Sequence, residues 1–137
     1  MPQQIILRNL QRPKNVNLKK DIEWLGNSFG FNTGRDTEKV MSQILQNVLQ
    51  EVASQGFTST ENIAKNLELS IQRVNYHLRT LIDTGFLFRE KRQIFVRENS
   101  VKSAVEEIRR DANRLLDNLS KIGEEIDGTL GFKNRQH

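Results

Sequence analysis

Hydrophobic spacing predicts two helices before residue 54. From Asp36 to Ala53 the apolar residues form two ridges with a four-residue repeat, which is one face of a helix with Asp36 as its N-cap. Upstream, apolar residues again recur at helical spacing after Asn17, a possible cap. The prolines and basic residues before Asn17 indicate an N-terminal arm that leads into this first helix.

Two more helices follow at short intervals. Thr58 and Glu61 have the spacing of a capping box and predict a helix of barely two turns. Ser70 then predicts the N-cap of a longer helix, which Gly85 ends. Its predicted inward residues are Ile71, Val74, Leu78, Leu81 and Ile82.

A hairpin and a heptad seam complete the pattern. The segment FLFREKRQIFVRE holds two short aromatic and β-branched runs around a charged EKRQ, which predicts a β-hairpin whose turn boundaries stay open. After Ser100, apolar residues alternate at spacings of four and three as Val101, Val105, Ile108, Ala112, Leu115, Leu119, Ile122 and Ile126. Such a seam requires a partner helix, so we expect intermolecular pairing through the seam from Val105 onward. Folding back onto its own domain is the alternative.

These elements predict a mainly α fold with a small β-hairpin wing, built as a winged helix-turn-helix with a long C-terminal dimerisation helix. We expect a basic arm and helix over residues 1–35, the winged helix-turn-helix over 36–98, the dimerisation helix over 99–128 and a tail over 129–137.

The charge pattern indicates a polyanionic partner. The chain of 137 residues carries a net charge of +4, and residues 70–97 hold six basic and two acidic side chains. The flanking segments are acidic, so one basic face could serve a polyanion, although ordinary solvated surface explains the same numbers.

Composition narrows the remaining chemistry. The chain has no cysteine and two histidines, so we expect no metal and no cofactor. No apolar run approaches the roughly 18 residues that span a bilayer. We therefore expect a cytoplasmic protein without a membrane partner. No nucleophile and base combine into a catalytic group, so an enzyme is not expected.

A major groove accepts one α-helix that other helices hold rigidly. At 100° per residue, the polar side of helix 70–84 is predicted to contact double-stranded DNA. The candidate DNA-binding residues on this helix are Ser70, Gln72, Arg73, Tyr76, His77, Arg79 and Thr80, with His77 on the border of the face. In the wing, the cations Arg89, Lys91, Arg92 and Arg97 are candidates for phosphate contact, or else gatekeepers of an exposed edge.

The segment TSTENIAKNLELSIQRVNYHLRTLIDTGFLFRE resembles the ArsR-like winged-helix regulators, in particular a group of predicted archaeal transcriptional regulators. It shares their Leu-x-Leu-Ser turn, their Val-x-x-His-Leu-x-x-Leu recognition helix and their opening to the wing. The similarity extends over about residues 18–128 and implies DNA binding by helix 70–84 and the wing, with dimerisation through the outer helices. Two features depart from the pattern. The metal-binding cysteines of the classical sensors are absent, and so is the frequent wing-tip glycine, which leaves the wing length open.

Two other functions stay open on the sequence. One is a winged-helix scaffold that binds protein, and the other is a non-specific binder of chromatin or other nucleic acid. Neither the operator nor any effector ligand follows from the residues.

Overall fold

The computed structural model describes residues 3–15, 17–32 and 37–132. Within those ranges, the helices and strands follow one another as α1 (Leu18–Ser28), α2 (Thr37–Gln55), α3 (Thr60–Leu67), α4 (Ile71–Thr84), β1 (Leu87–Glu90), β2 (Gln93–Val96) and α5 (Val101–Leu130). A single 3₁₀ turn at Arg97–Asn99 joins β2 to α5. The predicted fold class is confirmed: the protein is mainly helical, with an antiparallel hairpin after the helices and a long C-terminal helix.

Most predicted helix ends agree with the structure. The Asn17 side chain accepts a hydrogen bond from the backbone N–H of Lys20 at 2.9 Å, and the Ser70 hydroxyl accepts one from the N–H of Arg73 at 3.1 Å. Gly85 closes α4 with φ of +91°, in the left-handed region that glycine enters without strain. Asp36, the predicted cap of α2, lies outside the described residues.

The start of α3 differs from the predicted capping box. Ser59 is the N-cap, and its side chain accepts from the N–H of Asn62 at 3.1 Å. Thr58 instead pairs with β2, because its N–H donates to the carbonyl of Ile94 at 2.9 Å and the N–H of Ile94 donates back at 2.8 Å. This bridge holds the hairpin against the segment that leads into α3.

The core lies behind α4 and is supplied by every helix. Its fully buried side chains include Ile44, Leu45 and Val48 of α2, Ile63 of α3, and Val74, Leu78 and Leu81 of α4. Phe86, directly before β1, and Ile94 of β2 are also fully buried. From Val74 to Leu81, α4 is therefore packed along its apolar side, which gives a rigid support for the opposite side.

The seam of α5 is divided between two environments. Ile108 is 2% exposed within the core of its own chain, and Val105 packs against the same core. Farther along the helix, Leu115 is 44% exposed and Leu119 is 65% exposed. The expected intermolecular seam is thus corrected for Ile108, which intramolecular packing covers, and in part for Val105, which that packing leaves half-buried. Ala112, which is half-buried, marks the boundary.

The helix α5 runs to Leu130, slightly beyond the predicted end at residue 128, and Gly131 caps it with φ of +81°. No helix among the described residues is long and apolar enough to cross a membrane.

The N-terminal arm lies along its own domain. The Gln3 side chain donates to the carbonyl of Thr84 and to the carboxylate of Asp111, both at 2.8 Å. Farther along, the N–H of Arg8 donates to the carbonyl of Ser28 at 2.8 Å. Gln3 thus contacts the end of α4 and the middle of α5.

Candidate nucleic-acid interface

One side of α4 is free while the other is buried. The predicted polar face is brought together on the free side, where Gln72, Arg73, Tyr76 and Arg79 are exposed and Thr80 is half-buried. Tyr76 is 60% exposed, a high value for an aromatic side chain. The arrangement presents two guanidinium groups, an amide and a phenol along one helix face. Ser70, at the start of this face, is occupied as the N-cap.

Ile71 departs from its predicted place. Periodicity put it in the core, but it is 47% exposed in the first turn of α4. The core reaches only as far as Val74, so the first turn projects beyond it. N-terminal residues of a recognition helix commonly contact base edges, and an apolar side chain there suits the methyl group of thymine.

His77 also departs from the prediction, because it is 3% exposed and packs edge-on against the ring of Tyr76. Position 77 follows Val74 by one helical turn and thus faces the core. Burial lowers the pKa of His77, and the nearby charge of Arg73 lowers it further. A neutral, buried imidazole does not reach a DNA surface, so we leave His77 out of the interface.

Asn75 was not identified from the sequence and joins three elements. Its side-chain oxygen accepts from the Arg89 guanidinium at 2.9 Å and from the Thr60 hydroxyl at 3.1 Å. Arg89 also donates to the Thr60 oxygen at 3.1 Å. These bonds fix the wing relative to α4 and the start of α3. The residues that these bonds join are far apart in sequence, and no local sequence pattern predicts such a contact.

The wing ends in a two-residue turn made of two cations. Glu90 pairs with Gln93 across the hairpin, so Lys91 and Arg92 alone form the tip. Both have positive φ, +51° and +68° respectively, as a type I′ turn requires. Non-glycine residues adopt this conformation at a cost, so the surrounding hairpin must hold them there. The wing is therefore short, which answers the open question about its length.

The hairpin has its own aromatic support. The rings of Phe88 and Phe95, paired across the strands, stack at 5.1 Å with an angle of 15° between their planes. Such cross-strand aromatic pairs stabilise a hairpin that has few other contacts. Exposed Lys91 and Arg92 are thus carried on a rigid support.

The fourth wing cation of the prediction, Arg97, lies elsewhere. Its guanidinium donates to the buried carboxylate of Asp111, and this bond raises the pKa of Arg97. Arg97 therefore joins the hairpin to α5 and is not part of the tip. Arg79 and Arg89, by contrast, line one cleft between α4 and the wing. Across residues 3–15, 17–32 and 37–132, no three acidic, histidine or cysteine side chains are grouped as a metal site.

Residues 41–87 match the sequence model of the winged helix-turn-helix DNA-binding family. The match extends from the second turn of α2 to the start of β1 and includes the whole of α3 and α4. Comparisons with curated proteins and with solved structures gave no match. The family match and the free face of α4 together support DNA binding by this part of the chain.

Proposed function

We propose that the protein is a homodimeric, sequence-specific regulator of transcription that places α4 in the major groove of double-stranded DNA. One observation carries this proposal: the side of α4 opposite its buried residues exposes Gln72, Arg73, Tyr76 and Arg79 within a winged helix-turn-helix. The resemblance to ArsR-like archaeal regulators, and a location in the cytoplasm with the DNA, belong to the same proposal.

The side chains of α4 suit base readout. Arg73 and Arg79 can each donate two parallel hydrogen bonds to a guanine or bind phosphate, and Gln72 can pair with adenine. Tyr76 can donate to a phosphate oxygen, and Ile71 can contact a thymine methyl group. Polar and apolar contacts on one face of a helix are what distinguishes one base sequence from another.

The wing supplies the contacts that do not depend on sequence. Lys91 and Arg92 at its tip are exposed cations suited to phosphate oxygens. Arg89 holds the wing against α4 through its bond to Asn75. Its remaining N–H groups can donate to the DNA backbone beside Arg79. The wing would therefore set the affinity, and α4 the preference between sequences.

The distal part of α5 supports dimerisation. Its exposed apolar residues are Leu115, Leu116, Leu119, Ile122, Ile126 and Leu130, each at least 44% exposed. No other segment of the described chain covers them, and a stripe of this size is costly in water. A single winged helix contacts few base pairs, whereas two joined domains read two half-sites about one helical turn apart.

Selection from random duplexes, followed by affinity measurements on the selected sequence, tests DNA recognition. Arg73→Ala and Arg79→Ala should each weaken binding by about 1 to 3 kcal/mol without lowering the melting temperature. Lys39→Ala is the matched control, since Lys39 is an exposed cation on the α1 side of α2. Unchanged affinity in both arginine variants would exclude this face. Equal binding of all duplexes would favour a non-specific binder, and no binding would favour a protein scaffold.

Sedimentation tests dimerisation. Leu119→Glu should dissociate the dimer at micromolar concentration, because a charge buried against an apolar partner is costly. Lys121→Glu places the same side chain at an exposed position about 200° around the helix from Leu119, away from the stripe, and should leave the dimer intact. The Leu119→Glu monomer should also lose much more DNA affinity than one contact supplies. A wild-type chain that sediments as a monomer contradicts the two-half-site proposal.

A further inference from the structure

The amide of Gln3 bridges the last residue of α4 and the last buried residue of α5. Its Nε2 group donates to the backbone carbonyl of Thr84 and to the carboxylate of Asp111, both at 2.8 Å. An amide NH2 group carries two hydrogens, so both are used here. The backbone N–H of Gln4 adds a bond to the carbonyl of Asp83 at 3.1 Å. The start of the arm thus holds the end of α4 against α5.

The base of the wing meets the same point. Arg97, which directly follows β2, donates to the Asp111 carboxylate through both terminal nitrogens, and its backbone N–H donates to the carbonyl of Phe86 at 3.0 Å. Gly85 leaves the space for these side chains, since a Cβ atom there would lie 2.7 Å from the Gln3 amide nitrogen and 3.0 Å from an Arg97 guanidinium nitrogen. We call Gln3, Gly85, Arg97 and Asp111 the junction.

The junction lies where α5 leaves its own domain. The buried residues of α5 are Ala104, Ile108 and Asp111, which form one ridge along the helix. Apolar burial is non-directional, so Ala104 and Ile108 restrain a tilt of α5 weakly, whereas hydrogen bonds to a carboxylate have preferred directions. All side chains of residues 113–122 are exposed. The junction therefore fixes the direction in which the distal part of α5 projects from the domain.

A small rotation at the junction has a large effect on the α4 helices of a dimer. Ile71, in the first turn of α4, lies about 20 Å along the helix axis from Thr84. A rotation of about 5° between α4 and α5 about the junction would therefore move Ile71 by about 1.7 Å. In two copies joined through the distal parts of α5, the two displacements add to about 3.4 Å, which is one base-pair step of DNA.

We propose that Gln3 is a positioning residue for DNA recognition, which through the junction sets the distance between the two α4 helices and so the half-site spacing that the dimer prefers. The inference rests on the proposed homodimeric regulator and gives the N-terminal arm a part in its specificity. Gln3 acts through α4 and α5, and its own side chain contacts no base.

Binding to duplexes of graded spacing tests the inference. Two half-sites are separated by the preferred spacer, or by one base pair more or fewer, and a further duplex carries one half-site alone. Gln3→Glu keeps the shape of the side chain but removes both donors and sets a charge against Asp111. It should reduce the discrimination between the preferred spacer and its neighbours by about three- to tenfold, the factor that one net hydrogen bond represents. Binding to the single half-site should be unchanged.

Two variants serve as matched controls. Gln4→Glu adds the same charge one position later, where the side chain is exposed and the bond to Asp83 comes from the backbone, so it should keep the wild-type spacing preference. Gln3→Lys retains N–H donors for Thr84 and Asp111 and should restore the preference. If Gln3 served the stability of the fold alone, Gln3→Glu would weaken binding to every duplex alike, the single half-site included. That result would overturn the inference.

The distance between α4 and α5 gives a second measurement that does not depend on DNA. The chain has no cysteine, so spin labels attached at Gln72→Cys and Glu124→Cys, both exposed, report on one α4 and one α5. With unlabelled chains in excess, pulsed electron resonance measures the distance within one chain. Adding Gln3→Glu should broaden or shift the distance distribution, whereas adding Gln4→Glu should not.

The outcomes separate this inference from the homodimer itself. An unchanged spacing preference in Gln3→Glu, or an unchanged distance distribution, would overturn the positioning role and leave the dimeric regulator standing. A wild-type protein without any preferred half-site spacing would instead remove the two-half-site proposal and this inference with it.

Discussion

The buried carboxylate of Asp111 joins three parts of the chain, and its neutralisation should be costly. It is 3% exposed and accepts hydrogen bonds from Gln3 of the arm at 2.8 Å, from Arg114 at 2.9 Å and from both terminal nitrogens of Arg97. Asp111→Asn keeps the shape of the side chain but removes its charge. It leaves the Arg97 guanidinium, 28% exposed, opposite an amide.

The pKa of Asp111 gives the magnitude. Hydrogen bonding to Arg97 is the main cause that lowers the pKa from 3.8 to about 2, against the opposing effect of burial. At about 1.4 kcal/mol per pKa unit, the ionised form stabilises the folded state by about 2.5 kcal/mol at pH 7. The folded-state pKa lies below the unfolded one, so on acidification the unfolded state takes up the proton first. This contribution is therefore complete above about pH 5 and is lost as the pH falls towards 2.

Urea unfolding of wild type and Asp111→Asn, at equal protein concentration, measures the effect. We expect the variant to be less stable by about 2 to 3 kcal/mol at pH 7, and the gap to shrink by about half at pH 3. Asp117→Asn, an exposed aspartate on the same helix, is the control and should change stability by less than about 0.5 kcal/mol. A gap of the same size at both pH values would show that Asp111 acts through shape and not through charge.

Two further predictions concern the wing and His77. Replacing Lys91 by Asn together with Arg92 by Gly should raise stability by about 1 kcal/mol, because Asn-Gly suits the positive φ of this turn. The same variant should lower the salt slope of DNA binding by about two, so an unchanged slope would exclude the tip as a phosphate contact. For His77, burial holds the folded-state pKa below 6.5, so wild-type stability should fall as the pH drops through and below 6.5. His77→Leu should lack this part of the decline in thermal unfolding, and parallel curves for both proteins between pH 7 and 5 would contradict the assignment.

Local chemistry explains which parts of the fold were predictable. Ser70 and Gly85 fix the two ends of α4 through a side-chain cap and a left-handed residue, and both signals are read within a few positions. His77 was predicted less well because its polar character suggested the surface, while its spacing from Val74 placed it towards the core. The position of His77 in α4 therefore decided its burial more than its polar side chain did. Burial disfavours the charged imidazole and lowers the pKa of His77.

Long-range contacts explain what was missed. The heptad spacing is the same at Ile108 and Leu119, yet only Ile108 has the core of its own chain beside it. A repeat reports that a helix face needs a partner and says nothing about which chain supplies it. The bonds of Asn75 to Arg89 and Thr60 could not be predicted from the sequence either, since they depend on three elements meeting in space.

The contact of the arm with Asp111 also bears on how the chain is made. Gln3 and Asp111 are 108 positions apart, so a ribosome releases the arm long before its partner exists. Closing so long a loop costs entropy that is recovered only after the contact forms, so arm docking belongs at the end of folding. Until α5 has been synthesised, Gln3 lacks the second of its two acceptors, and the arm is held less firmly at the end of α4 around Thr84. A nascent chain that stalls before residue 111 therefore exposes this edge of the domain to cellular proteases and chaperones.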